Sequence, residues 1–157
     1  MSTFERCVEL ILSDRIEGGL SMDKDDKGNW TGGAVGRGAL KGTKYGISAA
    51  SYPTLDIKKL TKAEAKAIYK RDYWTPIGAD KLEPPMALLA FDCAVNQGIG
   101  RARQILKDTA ALAGEDRLID FQARRGVHYA GLSTFPKYGR GWLRRLFITH
   151  IEALRLN

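Results

Sequence analysis

The chain has 157 residues, of which 44% are hydrophobic and 27% are charged. This length is ordinary for one domain and allows roughly two thirds of the unfolded surface to be buried, so the composition excludes an intrinsically disordered chain. The net charge is +7, and residues 99–157 alone carry eleven Lys and Arg against five Asp and Glu, a net of +6. This basic C-terminal part favours an anionic partner such as nucleic acid, an anionic membrane surface or the bacterial cell wall. A surface whose charges only keep the protein soluble is an equal alternative.

The cysteines and histidines are few and argue against a metal site. Cys7 and Cys93 fall within apolar helical patterns and are interpreted as buried small side chains, not as a disulfide. Without a CxxC pair a zinc site is not expected, and we expect no metal and no cofactor. The chain does not open on a basic segment followed by a long apolar run, so export by a classical signal is not expected.

The first predicted helix carries a glutamate at its end. Apolar residues recur at helical spacing over residues 4–16, and Gly18 or Gly19 is predicted to end the helix. Glu17 lies off the apolar face and in the last predicted turn, where backbone carbonyls disfavour a carboxylate. This position favours the protonated side chain that a general acid needs, although most glutamates at helix ends are simply solvated.

An acidic loop and a glycine-rich stretch come next. The loop contains Asp23, Asp25 and Asp26, and the stretch from Gly32 to Gly46 predicts a small antiparallel hairpin or irregular sheet. The loop resembles the start of a calcium site, but Ala34 stands where the twelfth-position acidic ligand is required, so calcium binding is not predicted.

The rest of the chain predicts further helices. A capping box of Thr61 and Glu64 opens a helix over about 62–73, and a proline pair opens an almost entirely apolar helix over 86–96. A helix that is apolar on nearly all sides belongs at the centre of a helical domain. Three more helical patterns follow, at about 101–113, 115–130 and 140–155.

These elements together predict a mainly α (α+β) fold with a small β-hairpin element after the first helix. We expect a single domain over residues 1–157, with the motifs for chemistry in about 1–104 and a basic helical part in about 105–157. The hairpin and the first helix are expected to form one wall of a groove, with the apolar helix as its floor.

Carboxylates at such a groove suit the hydrolysis of a glycosidic bond. That reaction needs an acid to protonate the leaving oxygen and a second group to activate water or to stabilise the positively charged sugar transition state. Glu17 is the candidate acid. Asp26 is the candidate second group, with Asp23 and Asp25 as competitors, and the hydroxyl of Thr43 is a candidate for positioning water.

Several later side chains are candidates for binding a sugar. Tyr45, Tyr73 and Trp74 offer flat apolar faces to pyranose rings, although aromatic residues near helix ends are more often part of a core. Asn96 and Gln97 follow the apolar helix, where their amides can bond N-acetyl and hydroxyl groups. An ordinary helix C-cap is the equal alternative for these two.

Several segments, in order, resemble glycoside hydrolase family 108: Glu17-Gly18-Gly19, the acidic loop through Gly28, Gly42 to Ser48, Ile68 to Trp74, and Phe91 to Gly98. The resemblance covers about residues 4–104. It implies a lysozyme-like fold and an N-acetylmuramidase that cleaves the β-1,4 bond between N-acetylmuramic acid and N-acetylglucosamine, as many phage endolysins do. It also implies that Glu17 is the catalytic glutamate, and the segment around Trp142 resembles the region assigned in this family to peptidoglycan binding.

The second catalytic role stays open between two residues. In the spacing of the broader phage lysozymes, an Asp follows the acid after eight residues and a Thr follows after five more. Asp26 fits the first interval from Glu17, but the threonine position falls on Gly32. Thr43 is the preferred equivalent, with residues 29–41 as an insertion in the hairpin.

The resemblance implies bacterial peptidoglycan as the partner. We expect a monomer that binds no nucleic acid and does not insert stably into a membrane. As a phage or prophage endolysin it is expected in the bacterial host cytoplasm, released to the periplasm or cell wall by a pore or a specialised export route. A basic cluster is expected to hold the anionic glycan and its peptide stem, formed by Arg124, Arg125, Lys137, Arg140, Arg144 and Arg145.

Two alternatives remain open from the sequence. A lytic transglycosylase cuts the same bond with one acid and forms an anhydro sugar without water. A non-catalytic basic module that binds cell wall or nucleic acid explains the charge but not the residues from Glu17 to Ser48.

Overall fold

The structure is a computed structural model and describes residues 1–156. The α-helices in that range are α1 Thr3–Ile11, α2 Lys62–Tyr69, α3 Pro84–Gln97, α4 Ile99–Asp108, α5 Gly114–Ala130 and α6 Phe135–Leu154. One antiparallel sheet contains, in this order, β1 Leu20–Ser21, β2 Thr43–Lys44 and β3 Ile47–Ser48. The predicted mainly helical, lysozyme-like fold class is confirmed. Across residues 1–156, every helix falls short of the length and apolar character that crossing a bilayer requires.

The chain divides into two compact units. The sheet unit, Val8–Tyr69, contains the second half of α1, the three strands and α2. The helical unit combines Met1–Cys7 with Lys70–Asn157 and contains α3 to α6.

Helix α1 ends much earlier than its apolar pattern predicts. Ser13 turns its hydroxyl back to the carbonyl of Leu10 at 2.6 Å, and the amide of Glu17 donates to the carbonyl of Ile11 at 2.9 Å. A serine that bonds to nearby backbone offers the chain an alternative to the helix. Glu17 therefore lies in a turn beyond the helix, and the predicted influence of last-turn carbonyls does not apply to it.

The sheet unit contains the predicted hairpin, but in a smaller form. Strands β2 and β3 pair through a two-residue turn, with Thr43 opposite Ser48 and Lys44 opposite Ile47. Strand β1 pairs with the other edge of β2. Residues 31–39 form a loop that an isolated bridge between Trp30 and Leu40 closes. The insertion is thus a loop and not a pair of longer strands.

Helix α2 begins at the predicted capping box. The amide of Thr61 donates to the Glu64 carboxylate at 2.8 Å, and the amide of Glu64 donates to the Thr61 hydroxyl at 3.2 Å. Glu9, on α1, bonds with Lys62 at 2.5 Å and with Lys66 at 2.6 Å. These pairs join the two helices within the sheet unit. Because they are partly exposed, each contributes less than about 1 kcal/mol to the unfolding free energy.

Helix α3 is the centre of the helical unit, as its composition predicts. Its residues 85–94 are buried, and it packs against α4, α5 and α6. The rings of Phe4 and Phe91 each lie 5.3 Å from the ring of Trp74, which is 0% exposed. Cys7 and Cys93 are buried and unbridged, as predicted, and burial raises the pKa of Cys7 to about 12.

A buried ionic network crosses the helical unit. Asp92, on α3, bonds with Arg125 at 2.7 Å and with Arg145 at 2.9 Å, and both Asp92 and Arg125 are 0% exposed. Burial by itself raises the pKa of Asp92, but the charges and hydrogen bonds of Arg145 and Arg125 outweigh it and hold the pKa below its ordinary value. Gln122 accepts from Arg125 at 3.0 Å and donates to the carbonyl of Leu146 at 2.8 Å. This network joins α3, α5 and α6.

The C-terminal helices differ from their predicted bounds. Helix α6 begins at Phe135, five residues before the predicted start, because Pro136 in its first turn is well suited to opening a helix. Helix α4 ends at Asp108, and the amide of Thr109 caps it by donating to the carbonyl of Ile105 at 3.0 Å.

Candidate active site

The Glu-Gly-Gly segment forms a tight turn in the sheet unit. Gly18 lies so close to Asp14 that a Cβ atom on Gly18 would stand 2.7 Å from the Asp14 Cα. Gly19 has a φ of +90°, a conformation that side chains with a Cβ rarely adopt. Both glycines are therefore required by the local backbone. The turn leaves Glu17 half-buried, at the start of the link to β1.

The β2–β3 turn brings backbone directly against Glu17. Tyr45 and Gly46 have φ values of +52° and +73°, and positive φ at both central residues is the requirement of a type I′ hairpin turn. Gly46 leaves a space that a side chain would fill. A Cβ atom there would stand 3.0 Å from the Glu17 carboxylate oxygen Oε2 and 2.5 Å from the hydroxyl of Tyr69. The Glu17 carboxyl group is thus positioned beside the hairpin turn.

Tyr69 supports this turn from α2. Its ring is buried, and its hydroxyl donates to the carbonyl of Tyr45 at 2.7 Å. The amide of Tyr45 donates to the carbonyl of Gly19 at 3.1 Å. The turn is therefore bonded both to the Glu-Gly-Gly segment and to α2. Positive φ is unusual for a residue as bulky as tyrosine, and such backbone persists only where its surroundings hold it.

We expect Gly46→Ala to lower the rate of sugar cleavage by about a hundredfold, because the new methyl group displaces the Glu17 carboxyl group. Gly33→Ala is the matched control, since Gly33 has a φ of +71° and nothing within 4 Å of the added Cβ. Both variants should lose about 1 kcal/mol of unfolding free energy from the left-handed backbone. The measurements are wall-lysis rate and urea unfolding. Similar activity in the two variants would place the reacting sugar away from Glu17.

A buried asparagine organises the acidic loop. Asn29 is 0% exposed, its side-chain amide donates to the carbonyl of Asp23 at 2.8 Å, and its side-chain oxygen accepts from the Thr43 hydroxyl at 2.7 Å. The Asn29 carbonyl also accepts from the amides of Lys41 and Gly42, both at 3.0 Å. The half-buried Thr43 hydroxyl is thereby oriented by the loop, with its hydrogen directed at Asn29.

The loop also holds Asp26 in place. Asp26 precedes a short 3-10 turn, Lys27–Asn29, and its Oδ1 oxygen accepts from the amide of Gly28 at 2.8 Å. The carbonyl of Gly28 accepts from the amide of Ala50 at 3.0 Å, which ties the turn to the chain after β3. Asp26 is exposed, so it is an ordered carboxylate at the surface of the sheet unit.

The other predicted site residues have different surroundings. Tyr45 is half-buried, and the Lys44 ammonium lies 5.5 Å from its ring centroid. In the helical unit, Tyr73 is half-buried on a π-helical segment, Lys70–Trp74. Trp74 is a core residue and does not fit its predicted role, because its ring is buried and its indole N–H donates to Asp80 at 2.8 Å.

The two predicted amide residues take part in hydrogen bonds of the helical unit. Asn96 accepts from the hydroxyl of Tyr129. Gln97 donates to the carbonyl of Arg125 at 3.2 Å and accepts from the Arg125 side chain at the same distance. Both amides thus have structural partners in α5. Their predicted contact with a sugar stays a prediction.

Only part of the predicted basic cluster is available to an anion. Arg125 and Arg145 bond with buried Asp92, and Arg124 bonds with Asp120 at 2.7 Å. The exposed members that remain are Arg140 and Arg144, whereas the Lys137 ammonium lies 5.0 Å from the ring centroid of Tyr138. The sequence could not show this division, because Asp92 lies 33 and 53 residues away from its two partners.

Sequence reasoning missed two residues of the site, Tyr69 and Asn29. Tyr69 belongs to one of the segments that carry the family resemblance, but nothing in its spacing showed that its hydroxyl supports the hairpin turn. Asn29 follows a glycine in a polar loop, where an exposed turn residue is the usual expectation. Their roles depend on contacts 24 and 14 residues distant along the chain.

Comparisons with known proteins identify the family and the fold. The family glycosyl hydrolase 108 matches residues 11–98, which are more than half of the chain and include Glu17, Asp26, Thr43 and Gly46. Among solved structures, that of SagA from Brucella abortus has a TM-score of 0.80 and 24% sequence identity, and the match covers 98% of this chain and 95% of that chain. At this identity the likeness is one of fold. No curated protein sequence matches the chain. On the family match, the chain belongs to glycosyl hydrolase family 108 and is a peptidoglycan-degrading glycoside hydrolase of the muramidase type.

Proposed function

We propose that this enzyme hydrolyses the β-1,4 bond between N-acetylmuramic acid and N-acetylglucosamine with Glu17 as the general acid. The observation that supports this role is the position of the Glu17 carboxyl group against Gly46, which has no side chain to displace it. Gly18 and Gly19 fix the turn that carries Glu17, and Tyr69 supports the β2–β3 turn beside it. Groups held this way keep their geometry during the reaction.

In the proposed reaction, Glu17 donates its proton to the bridging oxygen as the glycosidic bond breaks. The departing sugar leaves as an alcohol, and positive charge develops on the ring that remains. Asp26 is the proposed second group, because its carboxylate is exposed and oriented by Gly28. It either activates water or stabilises that charge. Thr43 is proposed to position the water, because its hydroxyl is oriented by Asn29.

Two substitutions separate these roles. We expect Asp26→Asn to reduce cleavage by about a hundredfold or more, since the amide oxygen can still accept from Gly28 while the charge is lost. Thr43→Val is expected to have a smaller effect, about tenfold, and Thr43→Ser should restore most of the rate. Initial rates on purified peptidoglycan measure both. If Thr43→Val is as severe as loss of Glu17 while Asp26→Asn remains active, the second role belongs to Thr43.

Analysis of the products tests hydrolysis itself. Mass spectrometry of released muropeptides is expected to show reducing-end sugars that contain the added water, since the proposed reaction consumes one water for each bond. Products lighter by one water would instead identify a lytic transglycosylase. Strong, salt-sensitive binding to the wall with no released sugar would indicate the non-catalytic module.

We propose further that the enzyme acts as a phage or prophage endolysin. In this role it accumulates in the bacterial cytoplasm and reaches the wall through a membrane pore or a specialised export route. The support is the resemblance to a family that includes many phage endolysins. Cells that express the chain should keep their turbidity until chloroform opens the inner membrane, and should then clear. Clearing before that treatment would contradict release through a pore.

A further inference from the structure

The outward face of α6 is apolar where a solvated helix is normally polar. Leu143, Phe147 and Ile151 follow one another at intervals of four residues and are 37%, 67% and 50% exposed. Side chains at this spacing lie on one face of a helix. On α5, Ile119 and Val127 are also exposed. Single exposed apolar side chains are ordinary, but a row of large ones on one helix marks an interaction surface.

Phe147 is a ridge between two hollows. A cavity of about 310 Å³ lies between α5 and α6 and is lined mainly by apolar side chains, among them Ile119 and Leu143. A wider hollow of about 680 Å³ lies along α6, and Phe147 and Leu143 line it as well. The apolar surface is therefore continuous across the ridge. We call Leu143, Phe147 and Ile151, with the hollows on either side, the α6 ridge.

The charges beside the α6 ridge have one sign. Arg140 and Arg144 line the wider hollow, both are exposed, and no acidic side chain within residues 1–156 pairs with either of them. Residues 135–151 contain no Asp or Glu. Other arginines of the region have acidic partners, since Arg125 and Arg145 share Asp92 and Arg124 bonds with Asp120. The ridge thus presents apolar side chains together with uncompensated positive charge.

We propose that the α6 ridge binds reversibly to the surface of an anionic phospholipid bilayer. A helix that presents aromatic and aliphatic side chains beside arginines is suited to lie in a bilayer interface, with its apolar face at the boundary between headgroups and acyl chains. Leu143, Phe147 and Ile151 enter that boundary. The aliphatic stems of Arg140 and Arg144 lie beside these side chains in the boundary, and their guanidinium groups bind lipid phosphates.

The shape and charge of the ridge favour a bilayer over a protein. A second copy that docks through the same stretch of α6 would offer Arg140 and Arg144 no acidic partner, because residues 135–151 contain no Asp or Glu, and burying both charges unpaired is unfavourable. A helix that docks into a groove needs a concave site, whereas Phe147 projects between the hollows. A fluid lipid surface accepts a projecting apolar side chain. This binding is independent of the catalytic proposal and would hold the enzyme at the membrane surface that borders the wall.

Vesicle co-sedimentation of the full-length protein tests the proposal. The probes are phosphatidylcholine vesicles with and without phosphatidylglycerol, at low and at physiological salt. The wild type should partition to the anionic vesicles and release as salt rises. Phe147→Ser should lower the partition coefficient about tenfold, and the double variant Arg140→Gln with Arg144→Gln about thirtyfold. The matched control is Lys58→Gln with Lys107→Gln, which removes two exposed charges elsewhere and should bind as the wild type does.

Each other outcome overturns the proposal. If the wild type does not partition to anionic vesicles, the proposal is refuted directly. If the lysine control loses as much binding as the arginine double variant, the binding depends only on overall positive charge and not on the ridge. A dimer in sedimentation equilibrium that Phe147→Ser dissociates would assign the ridge to a second copy. Binding to purified cell wall that Phe147→Ser abolishes assigns it to peptidoglycan. Thermal unfolding of each variant confirms its fold, and the activity of Phe147→Ser on soluble wall fragments, which should be unchanged, separates this test from that of Glu17.

Discussion

Replacing Glu17 by glutamine is expected to lower the rate of wall lysis by about a thousandfold or more, because the variant has no proton to donate to the leaving sugar oxygen. The two side chains have nearly the same size, so the contact with Gly46 persists. Because the Glu17 side chain is only half-buried and lies outside the core, we expect Glu17→Gln to change the unfolding free energy by about 0.5 kcal/mol or less. The measurement is the loss of turbidity of permeabilised bacteria, with thermal unfolding of the same sample.

Glu83→Gln is the control for the charge change in this experiment. Glu83 is exposed, and its side chain makes no capping bond to α3. This variant should lyse bacteria at the rate of the wild type. If a folded Glu17→Gln protein retains that rate, Glu17 is not the acid, and the proposed reaction has no proton donor.

The largest stability effect is expected for Asp92→Asn. The substitution keeps the shape but removes the negative charge to which Arg125 and Arg145 are both bonded. Removing one partner of a buried ion pair leaves an uncompensated buried charge, which costs about 3–5 kcal/mol of unfolding free energy. For a chain of this length we expect Tm to fall by roughly 10 °C. Urea unfolding followed by helical circular dichroism measures the loss.

Asp120→Asn is the matched control for this variant. Asp120 bonds with Arg124 on the surface of α5, with side chains 37% and 45% exposed, and an exposed pair contributes less than about 1 kcal/mol. A comparable loss in both variants would show that Asp92 contributes no more than a surface pair.

The pH dependence of stability follows from the same network. The pKa of Asp92 is lowered on folding below its ordinary value of 3.8, so the folded state favours the charged form. The stabilisation is therefore complete above about pH 5 and is lost as the pH falls through 3.8 toward the folded-state pKa. The difference in unfolding free energy between wild type and Asp92→Asn should be constant at neutral pH and should shrink in acid. A difference that grows on acidification would contradict a lowered pKa.

Local signals in the sequence predicted much of the secondary structure. The capping box of Thr61 and Glu64 and the proline pair that opens α3 occur where they were predicted. Each depends on residues that are at most four positions apart. The end of α1 was predicted wrongly, because the apolar spacing continues to Ile16 while Ser13 diverts the backbone.

The candidate site shows the same division between near and distant contacts. Glu17 was identified from its predicted place at the end of the first helix and from the family resemblance, although the helix ends earlier, at Ile11. Its contact with Gly46 joins residues 29 positions apart, and no periodic pattern encodes that distance. For Trp74 the residue type suggested a sugar contact, but the packing of Phe4 and Phe91 on its ring makes it part of the core.

The sequence by itself determined the helical class, the central position of α3 and the candidate acid, because helical periodicity, capping and turn glycines act over a few residues. Only the tertiary structure decided which charges remain on the surface. Asp92 bonds with both Arg125 and Arg145 inside the helical unit, whereas Arg140 and Arg144 stay exposed beside Phe147. All four arginines lie in similar basic sequence. Their different roles arise because a buried charge requires a partner, and that partner is brought to it by folding.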